Sequence, residues 1–305
     1  STTVKVLITG GTGFIGRYVV RELAKRGAEV TLLTSGSTYH QFEESRLEIV
    51  NTTYEYSDLL KKLCGRKYDI FYHLGWAGVG GGEKNNIILQ CSNIQVAIDM
   101  MRLSKDVGCS LFVATGTVAE YAFCKEVIDF SLRQTPNDVY GATKVAVHYL
   151  LEAVAKQIQQ DMIWAVLPST FGEGRKRDNI ITYTIVTLLQ GKRPQYGTLE
   201  QMWDFLYVEE VARALADIGE KGRHNMTYGI GSGEYRLLKD YICTIRDMID
   251  PTLPLGIGEL IRKAAEPISS CVNIEQLTND TGFVPKISFE EGIRRTIKYY
   301  KESKF

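Results

Sequence analysis

Tyr140 and Lys144 are the two residues whose spacing in this sequence best suits proton chemistry. They stand four apart in "VYGATK", inside a helical pattern, so both side chains lie on one face of the helix. A tyrosine hydroxyl has an ordinary pKa of about 10, and a neighbouring ammonium favours the phenolate and moves that pKa toward the working pH. We therefore expect Tyr140 to exchange a proton with a substrate oxygen.

The stretch "VLITGGTGFIG" (residues 6–16) is the second chemical signal. Gly10, Gly13 and Gly16 are spaced three apart between an apolar strand-like run and a helix-like pattern. Gly10 permits a tight turn, Gly13 lets the main chain approach a pyrophosphate, and Gly16 allows close packing of helix on strand. The helix N-terminus adds N–H donors and a partial positive charge. The loop predicts a bound dinucleotide, whose nicotinamide ribose Lys144 would reach. The other residues assigned to this cofactor loop are Thr12, Phe14 and Ile15.

The end of the second predicted strand bears on which dinucleotide binds. NAD sites usually carry Asp or Glu at this position, where the carboxylate binds the ribose hydroxyls. In "LLTSGST" the position is taken by Thr34 and Ser35, and Arg17 directly follows the last glycine of the loop. Neutral donors and a nearby cation tolerate a 2′-phosphate. The sequence therefore favours NADP, with NAD as the alternative.

The elements that position these residues alternate between short strands and longer helices. A helix is expected from about Phe14 to Arg26, and long helical patterns cover 87–108 and 140–158. Strand-like runs are "VKVLIT", "AEVTLLT", "YDIFYHLG", "SLFVAT" and "DMIWAVLP". Continuous apolar strands indicate a parallel sheet that is buried on both faces and joined by βαβ crossovers. The expected fold class is α/β, a Rossmann-type doubly wound parallel sheet.

The alternation of strands and helices breaks after about Ser169. Glycines and charges cluster in "FGEGRKRDN", "WDFLYVEEVARALADI" reads as a strand feeding a helix, and the final segment mixes short helices with prolines. We predict a dinucleotide-binding domain over residues 1–168 plus about 202–230. A smaller C-terminal substrate-binding lobe is predicted from about 169–201 and 231–305.

Composition argues against several other classes of protein. Lysine plus arginine and aspartate plus glutamate both total 36, so no excess charge attracts nucleic acid or an anionic membrane. No apolar run is long enough to span a bilayer, and the fold signal starts by Val4, so we expect no signal peptide. The six cysteines without a C-x-x-C pair read as reduced thiols of a cytoplasmic protein. The four histidines lack metal-ligand spacing, so no metal site is predicted.

The order of these motifs resembles the extended short-chain dehydrogenase/reductase family, which contains nucleotide-sugar epimerases, dehydratases and reductases. "YHLGWAG" is similar to the family's strand-four segment beside the cofactor, and "VLPSTFGEG" is similar to a segment that usually reads R-x-F-N-V-Y-G-P-G. "WDFLYVEEVARA" looks like the family's R-D-F-I-x-V-D-D-V-A-x-A. The cofactor contacts that this resemblance implies, beyond the glycine loop, are Leu74, Gly75, Trp76, Leu167 and Pro168.

The resemblance also implies roles for residues whose spacing alone is uninformative. Asn93 in "CSNIQ" is similar to a helix asparagine that holds a structural water. The family's catalytic hydroxyl falls on Thr117 if "EYA" replaces the usual V-Y-G without a gap, and on Thr115 if the local alignment slips. Such a hydroxyl would bind the reacting oxygen as charge develops on it. Substrate contacts are implied for Ser169, Asn179, Arg262 and Lys263, the last two as a clamp on a diphosphate.

Departures from the family pattern narrow the activity. The family's 4,6-dehydratases carry an Asp-Glu pair after the catalytic hydroxyl, where this chain has Val118 and Ala119. Trp203 replaces an arginine that often binds a substrate phosphate. The tail looks like that of abequose-synthase-type reductases of CDP-4-keto-deoxy sugars. We expect an oxidoreductase that moves a hydride at C4 of a nucleotide-linked sugar: a 4-keto-sugar reductase or, as the alternative, a 4-epimerase with bound NAD.

Two further expectations concern the state of the protein. An NAD(P)-binding regulator that has lost catalysis is the alternative of another class, although Tyr140, Lys144 and a suitable threonine are all present. Members of the family often dimerise through two long helices of each subunit. The corresponding helices here are those around Ile87–Val107 and Tyr140–Gln160, and apolar residues on more than one face of each favour a homodimer built on a four-helix bundle.

Overall fold

The computed structural model describes residues 3–36, 47–176, 179–261 and 266–303. A parallel sheet runs through its centre, with helices on both faces. The strands are β1 (Lys5–Thr9), β2 (Glu29–Thr34), β3 (Leu47–Asn51), β4 (Ile70–His73), β5 (Leu111–Thr117), β6 (Met162–Leu167), β7 (Ser169–Phe171), β8 (Met202–Trp203), β9 (Phe205–Tyr207), β10 (Thr227–Gly229) and β11 (Arg236–Leu237). The helices are α1 (Phe14–Lys25), α2 (Tyr56–Lys62), α3 (Ile87–Asp106), α4 (Val139–Ile158), α5 (Ile180–Leu189), α6 (Val208–Lys221), α7 (Leu238–Ile249), α8 (Glu275–Thr281) and α9 (Phe289–Glu302).

The order of strands in the main sheet is β10-β6-β5-β4-β1-β2-β3, and every neighbouring pair is parallel. The direction of winding reverses between β1 and β4, which pair in register from Val6 opposite Ile70 to Thr9 opposite His73. In such sheets, ligands bind beyond the carboxyl ends of the strands at the point of reversal. The expected α/β Rossmann-type fold is therefore confirmed, and the glycine loop after β1 lies at this point.

Two apolar clusters cover the two faces of the sheet. On β1, Val6 and Ile8 belong to one cluster and Leu7 to the other, as the alternation of side chains along a strand requires. The first cluster contains α1 and α6, and it continues into the C-terminal segments through Tyr241 and Phe289. The substrate-binding lobe predicted from these segments thus packs on the same core as the glycine-loop helix. The proposed domain boundaries remain a prediction.

The sequence prediction missed two strands of the sheet, β3 and the three-residue β10, and placed helix ends within a few residues. β3 lies at the sheet edge beside β2, and its residues are partly or fully exposed, so it lacks the continuous apolar run of a central strand. α1 ends at Lys25 instead of Arg26, and α3 ends at Asp106. Across the described residues, no helix combines the length and the hydropathy that crossing a bilayer would require.

Candidate active site

The glycine loop folds as its spacing predicts. Gly10 has a φ of +74°, and a Cβ there would lie 2.6 Å from the main-chain nitrogen of Gly75. A Cβ at Gly16 would overlap the carbonyl oxygen of Gly10. A Cβ at Gly13 would meet only that same oxygen, at 3.3 Å, so the outer side of the loop is open. Gly11 has no role in the dinucleotide motif, but a side chain at this position would collide with Leu32.

The start of α1 fits the pyrophosphate of a dinucleotide. Gly13 is the N-cap, no side chain caps the free N–H groups, and the first turn contains no acidic residue. Uncapped N–H groups and the helix dipole both favour an anion at this end. Thr12, Phe14 and Ile15 are partly exposed along the same loop. The residues present therefore fit the cofactor that the sequence predicts.

The end of β2 is neutral, but Arg17 is not directed toward it. Thr34 is buried and its hydroxyl accepts a hydrogen bond from the Gly36 N–H at 3.1 Å, while Ser35 is exposed. The Arg17 guanidinium donates to the carbonyl oxygen of Glu173 at 3.1 Å and lies 5.8 Å from the centre of the Phe14 ring. Of the two features that favoured NADP, the neutral strand end keeps its expected position. The other feature, Arg17, instead contacts Glu173 in the segment that follows β7.

Two hydrogen bonds of the Thr9 hydroxyl hold the segment after β4 against the glycine loop. The Thr9 hydroxyl lies 2.7 Å from His73 Nδ1 and accepts from the Gly75 N–H at 3.1 Å. Burial lowers the pKa of His73 to about 3, so its ring is neutral. Leu74, Gly75 and Trp76, which the family resemblance assigns to the cofactor, follow directly and are partly exposed.

Asn93 fixes the other end of this segment. Its amide oxygen accepts from the Ala77 N–H at 2.8 Å, and its amide nitrogen donates to the Ala77 carbonyl at 2.9 Å. The same nitrogen also reaches the carbonyl of Gln90 at 3.1 Å. The side chain is buried at α3. The structure thus gives Asn93 a positioning role, in which it orients the loop that carries Trp76.

Thr117, Tyr140 and Lys144 meet beyond the carboxyl end of β5. The Thr117 side chain lies close enough to the Tyr140 hydroxyl to lower the pKa of that hydroxyl. The Lys144 ammonium donates to the Thr115 carbonyl at 2.8 Å and lies 4.0 Å from the centre of the Trp76 ring. Trp76 also packs edge-on against Tyr140, with ring centres 6.1 Å apart. This geometry favours Thr117 as the catalytic hydroxyl, because Thr115 contributes its main-chain carbonyl to the lysine.

The pKa of Tyr140 moves in the opposite direction from the one expected. Burial raises it to about 12, and the hydrogen bond from Thr117 opposes this shift only in part. The expectation that Lys144 would lower this pKa is therefore wrong for this structure. Burial also lowers the pKa of Lys144 to about 7, so a smaller fraction of this side chain is protonated at neutral pH. Its amine group contacts the Thr115 carbonyl and the Trp76 ring. A phenol with a raised pKa stays protonated and can serve as an acid.

Comparison with known proteins identifies the family of this chain. The sequence model of the NAD dependent epimerase/dehydratase family matches residues 6–231. The chain belongs to this family. The resemblance to extended short-chain dehydrogenases/reductases is thereby confirmed, and the protein is an NAD(P)-dependent enzyme of that type.

Relatives within the family differ in the reaction they catalyse. The dTDP-glucose 4,6-dehydratase of Escherichia coli is 27% identical, over 99% of this chain and 94% of the relative. The dTDP-4-dehydro-6-deoxyglucose reductase of Escherichia coli is 23% identical over 96% of both chains. A UDP-glucuronic acid 4-epimerase mutant from Bacillus cereus, solved with UDP-4-deoxy-4-fluoro-glucuronic acid and NAD, superposes with a TM-score of 0.87 at 20% identity, covering 98% of this chain and 99% of that one. At this identity the superposition shows the fold alone.

This family member lacks carboxylates where a dehydratase of the expected pattern needs them. Val118 and Ala119 follow Thr117 in a 3₁₀ turn, Val118–Tyr121. The nearest acid in sequence, Glu120, is fully buried, and its carboxylate accepts a hydrogen bond from the Thr117 N–H at 2.9 Å. It is therefore turned into the protein and away from solvent.

The residues expected to contact the substrate differ in where the structure places them. Ser169 and Trp203 are hydrogen-bonded to each other: the indole N–H donates to the Ser169 hydroxyl at 2.9 Å. Asn179 caps α5, with its amide oxygen accepting from the N–H groups of Ile181 and Thr182. Leu167 is the last residue of β6, and Pro168 lies between β6 and β7, at the carboxyl end of the sheet. Arg262 and Lys263 fall outside the described residues, so the predicted clamp stays a prediction.

Proposed function

We propose that this protein transfers a hydride at C4 of a nucleotide-linked sugar, as an NADPH-dependent nucleotide-4-keto-sugar reductase. The observation that carries the proposal is that Thr117 lies beside Tyr140, near Lys144, at the carboxyl end of β5, one strand from the pair β4 and β1 where the sheet reverses its winding. The absence of carboxylates at Val118 and Ala119 argues against 4,6-dehydration. The similarity to a 4-keto-sugar reductase over nearly the whole chain supports the direction of reaction.

The chain's own residues handle the proton. The bound dinucleotide supplies the hydride, and the chain must then protonate the sugar oxygen as negative charge develops on it. Tyr140 donates this proton, and its raised pKa keeps it protonated at neutral pH. The Thr117 hydroxyl, already in contact with Tyr140, donates a hydrogen bond to the same oxygen. Lys144 would hold the ribose of the nicotinamide cofactor through its ammonium.

The cofactor is held by the glycine loop and by the segments after β2, β4 and β6. The neutral end of β2 at Thr34 and Ser35 supports NADP, since no acid of this strand end would repel a 2′-phosphate. The direction of Arg17 toward Glu173 removes one of the two reasons for that choice. NAD is the alternative cofactor, since the family is described as NAD dependent.

A nucleotide-sugar 4-epimerase is the second candidate. The solved structures similar to this chain include 4-epimerases, such as the UDP-glucuronic acid 4-epimerase above, and the same Tyr140–Thr117 pair would serve that reaction. A regulator without catalysis is not supported, because Tyr140 and Lys144 both contact Trp76 and Thr117 lies beside Tyr140.

The substrate's diphosphate is expected to lie under the C-terminal segments. The Ser169–Trp203 pair offers a neutral surface where relatives often place an arginine, so the charge for the diphosphate has to come from elsewhere. Arg262 and Lys263 remain our candidates for that clamp.

We also propose a homodimer built on α3 and α4, the two helices that pack against each other on one face of the sheet. Their outer surface exposes large apolar side chains: Ile87, Ile88, Tyr149 and Leu150. Large apolar side chains exposed on two neighbouring helices favour an interface with another protein surface.

Isotope transfer distinguishes the two candidate reactions. NADPH deuterated at the transferred position is incubated with a nucleotide-4-keto-sugar, and the product is examined by NMR. A reductase places one deuterium at C4 of the product and oxidises one NADPH per sugar. A 4-epimerase interconverts the two alcohols at C4 without net oxidation of NADPH. Failure to turn over any nucleotide sugar in either assay would refute the proposal.

A further inference from the structure

Trp76, in the segment between β4 and α3, contacts both Tyr140 and Lys144. The Lys144 Nζ lies over the indole, 4.0 Å from the ring centre. The Tyr140 ring meets the indole at an interplanar angle of 81°, with ring centres 6.1 Å apart. The proposed mechanism uses the tyrosine and the lysine, and it gives the tryptophan no part in holding either of them.

Gln90 of α3 fixes the orientation of the indole. The indole N–H of Trp76 donates to Gln90 Oε1 at 2.9 Å. The Gln90 side chain is fully buried, and its amide nitrogen donates to the carbonyls of Gly78 at 2.7 Å and Glu83 at 3.0 Å. A Cβ at Gly78 would lie 2.6 Å from that nitrogen, so the glycine leaves space for the amide. Because the nitrogen is committed to two carbonyls, the amide oxygen is left to accept from the indole.

Asn93 extends this anchor to the next residue of the segment. It follows Gln90 by three positions, so both side chains lie on one face of α3. Its amide oxygen accepts from the Ala77 N–H at 2.8 Å, and its amide nitrogen donates to the Ala77 carbonyl at 2.9 Å. The consecutive residues 76–78 are thus all hydrogen-bonded to two side chains of α3. The helix presents the indole in a fixed position.

The same segment also contacts the start of α4 at two other points. Both contacts come from the 3₁₀ turn Gly81–Asn85. The Lys84 Nζ lies 5.3 Å from the centre of the Tyr140 ring. The Asn85 side-chain oxygen accepts from the Val139 N–H at 3.2 Å. A substitution at Trp76 should therefore leave the segment in place against α4.

The Lys144 ammonium lies in a site where an aromatic face can stabilise it. Only 5% of the residue is exposed, and its ammonium donates to the Thr115 carbonyl at 2.8 Å. Both this carbonyl and the indole are uncharged groups. The face of an aromatic ring attracts a cation, most strongly for tryptophan and where water is excluded. A lysine side chain has four flexible carbons, so two contacts of this kind also select one direction for the amine.

We propose that Trp76 is a positioning residue, whose indole face holds the Lys144 ammonium beside the Thr115 carbonyl and whose ring supports the Tyr140 ring. The consequence for the cofactor rests on the proposed function in one respect, namely that the Lys144 ammonium binds the cofactor ribose. The contact between indole and ammonium itself belongs to the protein without cofactor.

The first test is the NMR spectrum of the protein with carbon-13-labelled lysine, recorded at pH 6 without cofactor. Protons over the face of an aromatic ring resonate upfield, so the ε-methylene signal of Lys144 should lie upfield of those of exposed lysines. Lys144→Met assigns this signal by removing it. Trp76→Leu should return the signal to the ordinary range. Trp76→Phe should keep part of the displacement, because a smaller ring remains.

The second test is NADPH affinity, measured by titration of the fluorescence of NADPH. Loss of a cation–π contact that is shielded from water should weaken binding by about five- to thirtyfold in Trp76→Leu. Trp76→Phe should lie between this variant and the parent, and it carries both comparisons if the leucine variant does not fold. Tyr56→Leu is the matched control, since the Tyr56 ring lies 4.1 Å from the Arg102 guanidinium between α2 and α3. It should leave both readouts unchanged.

The outcomes separate this inference from the proposed function. An ordinary chemical shift for Lys144 in the parent, or an upfield shift that persists in Trp76→Leu, would overturn the inference. Undiminished NADPH binding by Trp76→Leu, where Lys144→Met binds weakly, would overturn it as well. Undiminished binding by Lys144→Met would count against the proposed function alone, since the NMR measurement needs neither cofactor nor substrate.

Discussion

Replacing Thr117 by valine is the sharpest way to separate the catalytic hydroxyl from its surroundings. Valine has nearly the same shape as threonine but no hydroxyl. In the structure that hydroxyl contacts Tyr140 and accepts the Ala119 N–H at 3.2 Å. The substitution therefore removes one donor to the reacting oxygen and one cap of a short turn, and it leaves the strand β5 in place.

The two losses have different magnitudes and different readouts. Loss of a capping side chain typically costs about 1 kcal/mol of stability, which should appear as a modest fall in Tm. Loss of one hydrogen-bond donor to a developing oxyanion typically lowers kcat by about 10² to 10³. We expect Thr117→Val to show the larger effect in turnover, with NADPH affinity close to that of the parent.

Two matched variants of this prediction are available in the chain. Thr117→Ser restores a hydroxyl at the same position and should recover most of the turnover. Thr115→Val keeps the main-chain carbonyl that Lys144 contacts at 2.8 Å, so its loss of turnover should be much smaller. The assignment would be refuted if Thr115→Val were the more damaging change, or if Thr117→Val and the parent turned over at similar rates.

Three further predictions follow from the cofactor loop, the end of β2 and the proposed dimer surface. Gly13→Val should abolish cofactor binding with an unchanged circular dichroism spectrum, because the added atoms fill the open side of the loop; undiminished affinity would argue against the pyrophosphate site. Ser35→Asp should weaken NADPH binding relative to NADH, since a carboxylate repels the 2′-phosphate, and a parent protein that already prefers NADH would reject the NADP choice. Ile88→Glu should convert the dimer to a monomer in light scattering at micromolar concentration, and a monomeric parent would reject the interface.

The parts of the fold and site that could be predicted from sequence are those encoded by local patterns. Continuous apolar strands identified the central sheet, but the two edge strands were missed: the residues of β3 are half exposed, and β10 has only three residues. The glycine spacing located the turn at Gly10, since a Cβ there would collide with the segment after β4. The four-residue spacing of Tyr140 and Lys144 placed both at one end of α4.

The remaining features depend on neighbours that are distant in sequence. Arg17 turns toward Glu173, more than a hundred residues away, so its direction could not be inferred from its place in the loop. The raised pKa of Tyr140 comes from burial under segments whose packing no motif describes.

The turnover of Tyr140→Phe tests the central claim most directly. The change removes one oxygen and keeps the ring that packs against Trp76, so fold and cofactor affinity should survive. If Tyr140 is the acid that protonates the sugar oxygen, kcat on a nucleotide-4-keto-sugar should fall by about 10² to 10⁴. Near-normal turnover by this variant on every nucleotide sugar that the parent accepts would contradict the mechanism and leave a similarity of fold alone.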